Sequence, residues 1–287
     1  MRNDGFIVRA AVELPPEQRD KFEEYIVPTS TQAPNAEIGG NEAKEYDQII
    51  AELFNRLYKH GETQLAFTKR DIEKVIADLD LEIRNVPDIA YTYRTGRSPL
   101  PVEILKHGHW AIDGAGKGKY VFVKLTRSPY FDLPGDLENV PIPDSTPQVV
   151  LRYQSNDEQA MLARVRYNRL VDTFVSLTAY QLQGHFRTTV QNLGQVEIDD
   201  LYLGVDEDGH WYALPIEAKV GDERLGIAQI RALTLFAKEQ FPDLKVRPLG
   251  IKLLSDGTLL FIEFNSQTGF DTIAVRRYKR YELVREV

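Results

Sequence analysis

The 287-residue chain predicts an α/β fold of the α+β kind, a mixed sheet flanked by helices and preceded by a smaller helical module that ends in a hairpin. Three observations carry this. Apolar residues recur at helical spacing in the first third, whereas strand-like alternation dominates from residue 194 onward. Between them, residues 129–147 hold Pro134-Gly135, Pro141, Pro143 and several acids, which reads as an exposed linker and divides the chain into domains at 1–140 and 141–287.

In the first domain Tyr46, Ile49, Ile50, Leu53, Phe54 and Leu57 repeat every three or four residues, predicting an amphipathic helix over roughly 42–59. A second helix opens at Thr68, where Thr68 and Asp71 form an aspartate variant of the capping box, and turns Ile72, Val75, Ile76 and Leu79 inward. Residues 87–94 predict a third, short helix that stops near Gly96 and Pro99. Residues 109–112 and 119–123 alternate as strands around a glycine-rich turn. Three helices followed by a glycine-tipped hairpin resemble a winged helix, a helix-turn-helix variant that reads duplex DNA. The resemblance implies that Arg94 and Arg97 approach the major groove and that Lys117 and Lys119 contact phosphate. A solvated basic surface or a protein-binding module fits the same residues. Residues 114–119 do not make a nucleotide-binding phosphate loop, because Lys119 is followed by Tyr120 rather than by Ser or Thr.

The second domain opens with a predicted long helix over about 158–183, with Leu162, Val165, Leu170, Phe174 and Leu177 inward. Asp172 on it reads as a salt-bridged surface residue, and beyond it His185 or Arg187 is a candidate for a phosphate contact, with a helix cap as the plainer role of His185. Residues 194–203 and 214–219 each alternate like a strand, and Asp208-Gly209 between them is a strong hairpin signal, so two antiparallel strands are expected. A helix over 227–236 follows, with Gln229 in its first turns. Strands at 246–254 and 258–264, joined by Ser255-Asp256-Gly257, close the sheet, and Arg276, Arg277, Lys279 and Arg280 make the last segment a basic strand suited to lie beside DNA.

Chemistry concentrates on the 194–219 hairpin. Glu217 and Lys219 share one face of their strand while Ile216 and Ala218 point the other way. In so apolar a segment, an acid and a base cost desolvation energy unless they pair or hold a metal. Asp199 or Asp200 could meet Glu217 across the hairpin. Two hard oxygen ligands and a lysine suit phosphodiester hydrolysis: the carboxylates hold Mg²⁺, which polarises the phosphate and lowers the pKa of a water, and the lysine orients the nucleophile or steadies developing charge. A surface hairpin with cross-strand ion pairs is the plainer alternative.

Asp199 followed by Glu217-x-Lys219 in the next strand resembles the PD-(D/E)xK nuclease superfamily over roughly residues 162–235, with Ile198 standing where the superfamily's proline would. The Glu197-Ile198-Asp199 setting favours Asp199 over Asp200. The resemblance implies a restriction-endonuclease-like sheet, a metal held by Asp199, Glu217 and the carbonyl of Ala218, an additional acid on the domain's first helix, for which Asp172 is the candidate ligand, a water positioned by Lys219, Gln229 facing the site, and products with 5′-phosphate and 3′-hydroxyl ends.

Composition narrows the rest. The chain has no cysteine, which excludes disulfides, thiolate zinc sites and cysteine nucleophiles and favours Mg²⁺, with Mn²⁺ as the alternative. No run of eighteen apolar residues exists, and residues 1–6 lack the apolar core of a signal peptide, so a cytoplasmic protein without a membrane span is expected. The formal charge of −8 argues against nucleic acid on average, but residues 91–130 carry seven Lys and Arg against two acids, a local basic surface. The expected protein is a type II restriction endonuclease, a homodimer that cuts double-stranded DNA with Mg²⁺ and no nucleotide cofactor. A structure-specific repair or mobile-element nuclease, and a winged-helix regulator without catalysis, are the other two classes.

Overall fold

In the first module, the apolar spacing of the sequence becomes α1 (Gly40–Leu57), α2 (Lys69–Asp78), α3 (Val86–Arg94) and the single turn α4 (Val102–Leu105) of a computed structural model that describes residues 40–155 and 157–285. Residues 1–39, with the segment read for a signal peptide and the start of the 1–140 domain, lie outside the described residues. Ile50, Phe54, Ile72, Ile89 and Trp110 are fully buried, and the Phe54 ring meets Trp110 and Phe122 edge-on at 5.1 and 5.3 Å between centroids. At the start of α2 the Thr68 amide and hydroxyl both donate to the Asp71 carboxylate at 2.7 Å, the expected aspartate capping box. The predicted hairpin is β2 (His109–Gly114) and β3 (Lys119–Leu125), joined by β1 (Gln64–Thr68) in an antiparallel sheet of order β1-β3-β2. The module thus runs helix, strand, three helices, the last a single turn, and hairpin.

The chain then runs through β4 (Asn139–Pro143), α5 (Gln148–Tyr153), α6 (Glu158–Tyr167), α7 (Leu170–Val175), β5 (Thr178–Val190), β6 (Gly194–Val205), β7 (Trp211–Val220), α8 (Ile227–Gln240), β8 (Lys245–Val246), β9 (Leu249–Leu253), β10 (Leu259–Phe264) and β11 (Val275–Val284). Among the described residues these strands form a mixed sheet of order β4-β11-β10-β9-β7-β6-β5, with β8 beside β7. β5, β6 and β7 are an antiparallel meander; α8 then carries the chain over to β9, which runs parallel to β7. α6 and α7 cover one face with Leu162, Val165, Leu170 and Phe174, and α8 covers the other with Ile230, Leu233 and Ala237. β10 shows why the sheet is buried on both sides: Leu259 and Phe261 enter the first core, Leu260, Ile262 and Phe264 the second. Residues 45–287 pack as one unit. No helix among the described residues is long and apolar enough to cross a membrane.

Three expectations about elements change. The helix expected over 158–183 is two short helices and the start of β5. Arg169 and Ser176 take left-handed backbone angles (φ 49° and 55°), which a continuous helix cannot contain, and from Thr178 the chain pairs with β6. The segment read as a linker contributes β4, placed at the sheet edge beside β11, where Pro141 and Pro143 need not donate to a neighbour on the outer side. The strand expected over 246–254 is interrupted at Pro248, which has no amide hydrogen, and becomes β8 and β9.

Candidate active site

β6 and β7 pair from Val205 opposite Trp211 as far as Asp200 opposite Ile216, and no further. Where they part, the Asp199 carboxylate accepts the Ala218 amide at 2.7 Å, in place of a ladder bond. From Ile216 onward β7 takes β9 as its other neighbour, which fixes Glu217, Ala218 and Lys219 against Gly250, Ile251 and Lys252. Asp199 and Glu217 are both buried, at 8% and 6% exposure. Lys219 Nζ lies 2.9 Å from Glu217 Oε1 and 3.4 Å from Glu158 Oε1. Glu158 opens α6, whose first turn is fixed by the Asp157 carboxylate accepting the Ala160 amide at 2.8 Å. Gln229, in the first turn of α8, accepts the Gly226 amide at 2.9 Å with its carbonyl and donates from its amide to Glu217 Oε1.

Two buried carboxylates, Asp199 and Glu217, and the half-buried Glu158 thus surround one ammonium, which pairs directly with Glu217 and Glu158. Burial, and then the Glu217 charge, push the Asp199 carboxyl up to about 8. Burial, with Asp199 and Glu223 adding to it, pushes Glu158 up to about 7 against the pull of Lys219. Burial also raises Glu217, and Lys219 opposes it. For Lys219, burial acts to lower the pKa, but Glu217, Glu158 and Asp199 outweigh it, so the ammonium stays charged. An excess of hard, costly oxygen anions over cations is the donor set that a divalent cation relieves, so these residues fit Mg²⁺ or Mn²⁺.

The structure therefore brings together Asp199, Glu217, Ala218, Lys219 and Gln229. Asp200 does not join them: its carboxylate accepts from Gln181 at 2.7 Å and from the Leu201 amide at 3.1 Å, with Arg166 at 3.9 Å. Asp172 is bound to Arg169 at 2.5 Å and to the Ala179 amide at 3.1 Å, apart from the site. The acid that the first helix supplies is Glu158. Its sequence signal was its place directly after Asp157, a helix cap, and before an apolar run.

Arg94, Arg97 and Lys117 line one cleft of about 720 Å³ with Lys69, Arg187, Tyr91 and Tyr120, between α3, the β2–β3 turn and the β5–β6 hairpin. Lys119 is exposed on β3 beside it. Arg94 is turned inward, donating to the carbonyls of Gln195 and Leu193. Arg97 sits 3.7 Å from Asp88 and over the Tyr91 ring. Arg187 and His185 both face Glu197, at 3.3 and 3.6 Å, and Tyr91 donates its hydroxyl to the same carboxylate. On the terminal strand Arg277 binds Glu263 and Arg280 binds Asp256, so much of that basic stretch is engaged by acids.

Among the described residues, Asp206, Asp208 and His210 on the β6–β7 turn form a second acidic group able to offer ligands to a cation, their ligand atoms lying within 4.8 Å of one another. Asp206 already accepts the amides of Asp208 and His210 and the hydroxyl of Tyr212 at 2.8–3.1 Å, which makes it the brace of the turn. No known family pattern matches the chain, and no curated protein does. Among solved structures, one of EndoMS in apo form is similar over 49% of this chain, at 16% identity and a TM-score of 0.18, and the match spans 44% of that structure's own length. A likeness that slight carries no argument about function, which rests on the side chains themselves.

Proposed function

We propose that this chain is a divalent-metal-dependent endonuclease of the PD-(D/E)xK type acting on double-stranded DNA. The observation that carries the reading is the Asp199 carboxylate bound to the amide of Ala218, between Glu217 and Lys219, where β6 and β7 part. Asp199, Glu217 and the carbonyl of Ala218 would hold Mg²⁺. When bound, the metal supplies polarisation of the scissile phosphate and a water of lowered pKa. Lys219, charged because three carboxylates surround it, orients the attacking water and steadies negative charge on the phosphoryl oxygens. Gln229 fixes the carboxylate of Glu217, and Glu158 fixes the ammonium of Lys219. The cleft lined by Lys69, Arg97, Lys117 and Arg187 receives the DNA backbone, while Arg94 shapes its wall.

At the finer level the chain acts as a type II restriction enzyme, a homodimer whose first module reads duplex sequence. Incubation with plasmid and phage DNA in Mg²⁺ tests both levels. Discrete, reproducible fragments are expected. Cleavage confined to branched or gapped DNA would replace the restriction role with structure-specific cutting, and no cleavage of any DNA with any divalent metal would contradict the nuclease reading.

A further inference from the structure

Residues 194–199 of β6, which end in Asp199, lie beyond the point where β6 pairs with β7, and within the sheet they are held by β5. Further support comes from the first module. Arg94 donates to the carbonyls of Leu193 and Gln195, and the Tyr91 hydroxyl donates to Glu197, two residues before Asp199. The backbone at Gly114 approaches so closely that a Cβ there would lie 1.7 Å from the Leu193 carbonyl oxygen. Both Tyr91 and Arg94 are on α3, so one helix holds Leu193 just before β6 and Gln195 and Glu197 in the part of β6 that β7 leaves.

We propose that Tyr91 and Arg94 are positioning residues for the metal site: the first module acts as a strut that fixes the part of β6 that β7 leaves and, through it, the Asp199 carboxylate. The inference rests on the nuclease reading. It assigns the first module a role in building the metal site that is separate from contacting DNA. Without the Tyr91 hydroxyl, Glu197 turns to Arg187 and His185, which already face it, and β6 keeps only the Arg94 tie to α3. Asp199 then samples more positions and holds a cation less well. Because Tyr91 also lines the basic cleft, a direct phosphate contact is the competing role, and metal and DNA affinities separate the two.

The test is calorimetric titration of Mn²⁺ into the full chain, alongside fluorescence anisotropy with duplex DNA in the absence of metal. Tyr91→Phe, which keeps the ring and removes the hydroxyl, is expected to weaken Mn²⁺ binding about tenfold, the size of one charge-assisted hydrogen bond, and to leave DNA affinity within about twofold. Arg94→Lys keeps the charge but cannot span two carbonyls, and it is expected to change in the same direction. Lys117→Ala is expected to show the reverse pattern, with DNA affinity lowered and Mn²⁺ binding kept. Unchanged Mn²⁺ affinity in Tyr91→Phe, or a loss confined to DNA, would overturn the strut. Failure of the wild-type chain to bind Mn²⁺ would overturn the nuclease reading with it.

Discussion

Asp199, Glu217 and Glu158 confine three carboxylates around one ammonium, and this crowding predicts how the metal-free chain responds to pH. Asp199, raised to about 8, and Glu158, raised to about 7, bind protons more tightly in the folded chain than in the unfolded one, where they titrate near 3.8 and 4.5. The native state therefore carries more protons through that window, and its stability falls as pH rises from about 4 to about 8. Carboxylates held low, such as Asp206 and Asp256, act only on the acid side. Thermal unfolding in EDTA across this range should show Asp199→Asn gaining on the wild type as pH rises, and Mg²⁺ should close the gap. A gap that shrinks toward pH 8 without metal would contradict the assignment. At this scale the trio Asp199, Glu217 and Lys219 was legible, because polar residues in so apolar a strand need a reason. Glu158 was not, since a glutamate at a helix start is equally well explained by the helix dipole.

The β5–β6 hairpin and the turn of the first module meet through backbone, and Gly114 is where that meeting leaves no room. Gly114→Ala sets a methyl against a carbonyl that no rotamer can move aside, and we expect it to cost about 3 kcal/mol of stability or more. Gly135→Ala, where a Cβ meets nothing within 4 Å, should change it by less than about 0.5 kcal/mol, and chemical denaturation of both variants measures the difference. Equal stabilities would mean that the two segments are not held so closely. Elements with a period were legible: α1, α2, β6, β7 and β10 fall where the apolar spacing placed them. β5 was not. It is an edge strand exposed on both faces over much of its length, so no alternation marks it, and Leu170, Phe174 and Leu177 mimic a continuing helical period across α7. The left-handed Arg169 that breaks the helix carries no signal in its residue type.

Across residues 45–287, the first module and the large sheet are joined by polar ties, Asp113 to Arg231 at 2.5 Å and Asp271 to Thr126 at 2.6 Å, and by Tyr91 to Glu197. Partners so distant in the chain have no mark in the sequence, which read the segments as separate domains and Arg94 as a residue approaching the major groove of DNA. Charge was legible only in outline. The net −8 conceals a basic cleft, and the terminal arginines that looked free are largely spent on Glu263 and Asp256. Under the nuclease function proposed above, Lys219 and the carboxylates around it hydrolyse DNA with Mg²⁺. The most direct measurement compares plasmid cleavage in Mg²⁺ by the wild type and by Lys219→Ala, with DNA binding of both measured in Ca²⁺. The predicted result is cleavage by the wild type, a loss of at least about a hundredfold in the variant, and equal binding. Equal cleavage rates in the two proteins would contradict it, leaving Lys219 as a structural ion pair.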